Sequence, residues 1–105
     1  MKRQTLTPDE LSAALKILDG WAAEAVSTAS DSDRGPSVLK KRFTFPNFAA
    51  ALAFVNQVGA LAESADHHPD ITLGWGYAEL TLTTHDRGGI TDVDIALATN
   101  IDALA

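Results

Sequence analysis

The chain contains three histidines, His67, His68 and His85. Histidine is the side chain whose ordinary pKa, about 6.5, lets it give or take a proton near neutrality. Two of the three are adjacent, within Glu63-Ser64-Ala65-Asp66-His67-His68-Pro69-Asp70. Carboxylates flank the pair, and a helix is expected to stop there, where its free carbonyls and dipole favour an imidazolium. These residue types suit general acid–base chemistry. Three histidines also invite a zinc site. Adjacent residues, however, diverge by about 100° on a helix and point to opposite faces of a strand, so His67 and His68 chelate one ion poorly. The helical i, i+4 histidine pair of zinc proteases is absent, as are acyl-transfer nucleophile motifs and phosphate-cradling glycine loops. Taken singly, each residue has an ordinary structural explanation. Asp66 suits a helix end, Asp94 a helix cap, His85 a solvated strand end, and Trp21 and Trp75 the core or a turn.

The elements that must bring these residues together are legible from caps and periodicity. Thr7-Pro8-Asp9-Glu10 is a capping box, and Leu11, Ala14, Leu15 and Leu18 follow at helical spacing, predicting a helix over 8–18 that Asp19-Gly20 ends. Residues 21–27 read as a short strand, and the Gly-Pro-containing 28–37 as a mobile hairpin loop. Residues 38–45 alternate, with Leu39, Phe43 and Phe45 on one face, Lys40, Arg42 and Thr44 on the other, and Lys41 as an exception on the apolar side. Asn47 is positioned to cap a second helix running to about Ala65, with Phe48, Ala51, Leu52, Val55, Val58 and Ala62 as its buried stripe. Pro69 forbids its continuation. Residues 71–75 and 78–84 are strand-like around a turn at Gly76-Tyr77, with Leu80 and Leu82 sharing a face. After a turn at Gly88-Gly89, Thr91 and Asp94 form the cap of a last helix that buries Leu97, Ile101 and Leu104. The order α-β-β-α-β-β-α, with paired strands and one apolar face per strand, predicts an α+β domain: a four-stranded antiparallel sheet with three helices on one face.

Composition bounds the function. At 105 residues, the chain is the length of one domain, 1–105. Eight Lys and Arg against 14 Asp and Glu give a net charge of −6, the wrong sign for a nucleic-acid surface. Cysteine is absent, which excludes disulfides and thiolate chemistry and fits a reducing cytoplasm. No export signal is expected at Met1-Lys2-Arg3, and Asn56 and Gln57 interrupt the longest apolar stretch, so no membrane span is expected either.

Taken as a set, Glu63, Asp66-His67-His68-Pro69-Asp70, Thr83-Thr84-His85-Asp86, Gly89-Ile90-Thr91 and Asp94 closely resemble the pterin-4a-carbinolamine dehydratase family. The opening Leu-Thr-x-x-Glu helix, the Gly-Trp after it, and Phe43, Phe45 and Phe48 extend the resemblance over nearly the whole chain. It implies the same α+β fold, homodimers or homotetramers, and removal of water from 4a-hydroxytetrahydropterin to give quinonoid dihydropterin, in recycling of the pterin. Neither a metal nor a redox cofactor is expected. By resemblance, His67 and His85 form the acid–base pair and His68 binds and orients the pterin. Asp94 contacts the site or orients a histidine, Glu63 and Asp66 support the helix end, and Pro69 sets its exit direction. Two positions depart from the family pattern: Ile71 stands where animal members often carry an aromatic residue, and Val93 where a basic one often precedes the Asp. Strict alternation puts His85 opposite Leu80 and Leu82, so the strand is expected to end or bend near Thr84. The resemblance also carries an alternative, a protein-interaction, dimerisation or assembly module of the same fold.

Overall fold

The computed structural model describes residues 5–24, 38–84 and 89–104. Thr7 starts the first helix, α1 (Pro8–Ile17), with its side chain on the Glu10 amide and the Glu10 carboxylate returned to the Thr7 amide. Gly20, at φ +85°, then turns the chain into the left-handed region that glycine enters without a Cβ clash. Four strands follow: β1 (Ala22–Glu24), β2 (Val38–Thr44), β3 (Asp70–Gly74) and β4 (Tyr77–Leu82). They form one sheet in the order β1-β2-β4-β3, antiparallel throughout. Helix α2 (Phe48–Ala65) joins β2 to β3, and α3 (Asp92–Asp102) closes the domain. The loop expected over 28–37, and residues 25–27 of the first expected strand, lie outside the described residues.

One face of the sheet carries the core. Leu39 and Phe43 of β2 and Ala78, Leu80 and Leu82 of β4 pack with Leu11 and Leu18, with Phe54 and Val58 of α2, and with Leu97, Ala98 and Ile101 of α3. The helices therefore cover a single face, as the period-two pattern requires. Lys41, the exception in that pattern, faces the core side and is satisfied there. Its Nζ lies 2.9 Å from Asp102 Oδ1 and 2.8 Å from the Asp19 carbonyl oxygen, over the rings of Phe43 and Trp21. The Trp21 indole N–H donates to the same Asp102 carboxylate.

Three expectations need correction. The buried stripe of α2 is Ala51, Phe54, Val58 and Ala62, whereas Phe48 and Leu52 are exposed. At about 100° per residue the four buried positions cluster within about 80°, and Phe48 and Leu52 fall outside that arc. Leu104, expected on the stripe of α3, lies beyond the helix end and is also exposed. The β3–β4 turn is Trp75-Gly76 and not Gly76-Tyr77: Gly76 takes φ +77°, and Tyr77 already pairs with Gly74 and Thr44. On length and composition α2 is apolar enough to cross a membrane, with a mean hydropathy of 1.2 over 18 residues. Its stripe nevertheless packs on the sheet, as in the core helix of a globular domain.

Candidate active site

The site is built where α2 stops. Glu63 and Ala62 accept hydrogen bonds from the Asp66 amide, and Ala62 also accepts the His67 amide. This is the paired closure of a Schellman motif, with Asp66 at φ 52° as the left-handed residue. Aspartate tolerates that conformation better than most residues. The reversal swings the chain off the helix axis, and Pro69 then prevents helix from resuming before β3 begins at Asp70.

Because the helix has ended, the two adjacent imidazoles go to different places. His67 is buried, and its Nε2 lies 2.5 Å from Asp94 Oδ1. His68 is exposed, and its Nε2 meets the carboxylate of Glu63 one helical turn earlier. One ring thus enters the protein while the other stays at its surface.

Asp94 is fully buried at the third position of α3. Its two oxygens have separate duties. Oδ1 faces His67, while Oδ2 takes the Thr91 amide at 2.9 Å, completing the capping box, and the Thr84 hydroxyl at 2.8 Å. Thr84 and Thr91 are also buried, with their hydroxyls 2.7 Å apart. Thr84 is held by a separate bridge to Gly89, through Thr84 N to Gly89 O at 3.0 Å and Gly89 N to Thr84 O at 3.4 Å. The end of α2, the continuation of β4 and the start of α3 therefore meet at one buried carboxylate.

Of the expected site residues, His67 and Asp94 belong to this buried cluster, and His68 and Glu63 form a second carboxylate–imidazole pair at the surface. Asp66 and Pro69 shape the helix exit, Asp66 being exposed and Pro69 half-buried. His85 lies outside the described residues, and its role remains an expectation. The β4 ladder does end at Leu82, short of Thr84. Residue-type reasoning missed Thr84 as part of the cluster. The signal was present: Leu80, Leu82 and Thr84 share one face of the strand, so a polar residue sits where the alternation calls for an apolar one. Among the described residues, no group of three or more His, Asp and Glu is placed to hold a metal ion.

A buried imidazole held by a carboxylate is a proton donor and acceptor of fixed orientation, and the exposed one beside it has room to meet a ligand. Known proteins place this arrangement in context. A family model for pterin 4 alpha carbinolamine dehydratase matches residues 4–104. Two curated relatives are each named "Putative pterin-4-alpha-carbinolamine dehydratase". The one from Rhizorhabdus wittichii is 40% identical over 105 residues, covering 100% of this chain and 99% of that protein. The one from Roseiflexus sp. is 42% identical over 91 residues, covering 87% and 98%. Two solved structures share the fold. A transcriptional coactivator/pterin dehydratase from Brucella melitensis superposes with a TM-score of 0.83 at 32% identity, covering 97% of this chain and 99% of that one. A pterin dehydratase-like protein described as a RuBisCO assembly factor in the alpha-carboxysome gives 0.63 at 31% identity, covering 82% and 89%. With the whole length of the fold matched and the helix-end histidines set against their carboxylates, the chain belongs to the pterin-4a-carbinolamine dehydratase family.

Proposed function

We propose that the protein is a hydro-lyase that removes water from 4a-hydroxytetrahydropterin to give quinonoid dihydropterin, by histidine general acid–base catalysis. The hydroxyl on C4a leaves as water only when a proton reaches its oxygen, and a ring N–H gives up its proton as the C=N bond forms. One acid and one base suffice. His67, fixed by Asp94, is one of them, and His85 is proposed as the other. His68, exposed beside Glu63, is proposed to orient the pterin.

The observation that carries this reading is the buried His67–Asp94 pair. Two buried ionisable groups are a poor way to stabilise a fold, since apolar residues of the same size often serve as well or better. Their retention supports chemistry at the site. The decisive experiment follows decay of the 4a-hydroxy intermediate with purified protein. Acceleration by the wild type, and a loss of about 10²-fold or more in His67→Ala, is the expected result. No acceleration by the folded wild type would remove the dehydratase reading.

A second reading, a protein-interaction module, is favoured by one fact: the relatives of this fold include a coactivator and an assembly factor. Partner capture indifferent to His67→Ala, together with absent turnover, would favour it. Self-association as a homodimer or homotetramer is part of the first reading. The exposed Phe48 and Leu52 on one side of α2 support it, and sedimentation measurements would test it. A cytoplasmic setting is proposed with it.

A further inference from the structure

We propose that Thr84 is a positioning residue: its hydroxyl, backed by that of Thr91, holds Asp94 so that Asp94 takes the Nε2–H of His67 and leaves Nδ1 as the nitrogen that meets substrate. The argument is a count of protons. An ionised carboxylate only accepts, and three donors surround Asp94: the Thr91 amide, the Thr84 hydroxyl and the His67 ring. Thr84 has one hydroxyl proton, and it goes to Asp94 Oδ2. The 2.7 Å contact between the two threonine hydroxyls must then be donated by Thr91. The Thr91 oxygen in turn accepts the Val93 amide at 3.3 Å. The donors run in one direction, Thr91 to Thr84 to Asp94, and such chains polarise each member.

With Oδ2 doubly occupied, Oδ1 remains for His67. A carboxylate that cannot donate requires the proton on Nε2, and this fixes the tautomer. Among the described residues, the only buried side-chain polar atom without a partner is Asp92 Oδ1. The hydrogen bond that the His67 ring makes to the described residues runs through Nε2, which leaves Nδ1 uncommitted to them. It is the ring nitrogen left to take a proton. Thr84 touches neither ring nor substrate in this scheme; it acts through Asp94.

The kinetic half of this inference rests on the dehydratase reading, whereas the tautomer half does not. The test therefore uses two readouts on the full chain. ¹⁵N NMR of the labelled protein at pH 8 is expected to show a protonated Nε2 and an unprotonated Nδ1 on His67 in the wild type and in Thr84→Ser, and a mixture of tautomers in Thr84→Val. In turnover of the 4a-hydroxy intermediate, Thr84→Val is expected to lose on the order of 10- to 100-fold in kcat, the scale of one hydrogen bond to a charged group. KM should stay within about twofold, and Thr84→Ser within about threefold of wild type. A wild-type His67 protonated on Nδ1, as the other tautomer or as imidazolium, overturns the proposal. So does a folded Thr84→Val with wild-type kcat, or a folded Thr84→Ser as impaired as Thr84→Val. Should Thr84→Val fail to fold, the wild-type tautomer and the serine variant still decide. Absent turnover with the expected tautomer would remove the enzymatic reading and leave the proton arrangement standing.

Discussion

A single carboxylate carries two structural duties at the centre of the site. Asp94 Oδ2 closes the capping box of α3, and Oδ1 binds His67. Asp94→Asn separates the two. The amide keeps one acceptor oxygen and turns the other position into a donor, so either the cap or the imidazole meets the wrong partner. A stability loss of about 1–3 kcal/mol is expected in urea unfolding, with a fall in turnover of about 10²-fold or more. Glu63→Gln is the contrast. Its side chain and that of His68 are more than half exposed, so the pair contributes about 0–1 kcal/mol, and unfolding should barely shift. Residue types and spacing in the sequence point to the histidines, and the family resemblance adds Glu63 and Asp94. The split of Asp94 between its oxygens was not legible, because Asp94 reads as an ordinary cap. Thr84 was overlooked for a related reason. Its partner stands ten positions later in sequence, and only the fold sets the Thr84 hydroxyl against that carboxylate.

Caps and periodicities gave the elements nearly complete, and the misses have physical causes. An apolar stripe on a helix shows which residues are oily and not which arc the sheet selects. Phe48 and Leu52 belong to the apolar population of α2, but Phe54 is the ring that meets Phe43 and Phe45, at 4.7 and 5.1 Å between centroids. The β3–β4 hairpin shows the same limit. Gly76 was correctly identified as a turn residue, whereas Gly74 has a role that only packing reveals. A Cβ on Gly74 would come within 2.2 Å of the Tyr77 ring, which lies across it, with the Arg42 guanidinium 3.9 Å from the ring centroid. Glycine is therefore required at 74 by the aromatic opposite it, in an otherwise ordinary strand. Gly74→Ala is expected to cost about 1–3 kcal/mol, since the ring must leave its place against Arg42. In a Tyr77→Ala background the same change should cost almost nothing. Equal costs in both backgrounds, measured by denaturant unfolding, would show that the clash is not what keeps glycine there.

At the scale of the whole molecule, α3 links two polar clusters of different kinds. Its first turn holds Asp94 in the site, and its last residue, Asp102, holds Lys41 and Trp21. Eight residues separate the two aspartates, about 12 Å along the helix axis. The Lys41 cluster fastens α3 to β2 and to the carbonyl of Asp19 after α1. Lys41 was legible in the sequence as a break in alternation. Its partner, 61 positions away, was not. If this cluster serves the fold and the Asp94 cluster serves chemistry, mutation should separate them. Lys41→Met keeps the chain length and apolar contact with Phe43 and Trp21 but removes the ion pair. Asp102 keeps both contacts from the Trp21 indole and remains partly exposed, so the expected loss is about 1–2 kcal/mol. Asp102→Ala leaves the indole N–H without its acceptor and Lys41 with only the Asp19 carbonyl, and is expected to cost more, about 2–3 kcal/mol. The double variant should lose less than the sum of the two, because the groups share one interaction. At temperatures where each variant is fully folded, turnover should stay within about twofold of wild type. A fall in kcat that parallels the loss of stability would mean that α3 transmits the Lys41 contact to Asp94, and the two ends of the helix would then have to be treated as one device.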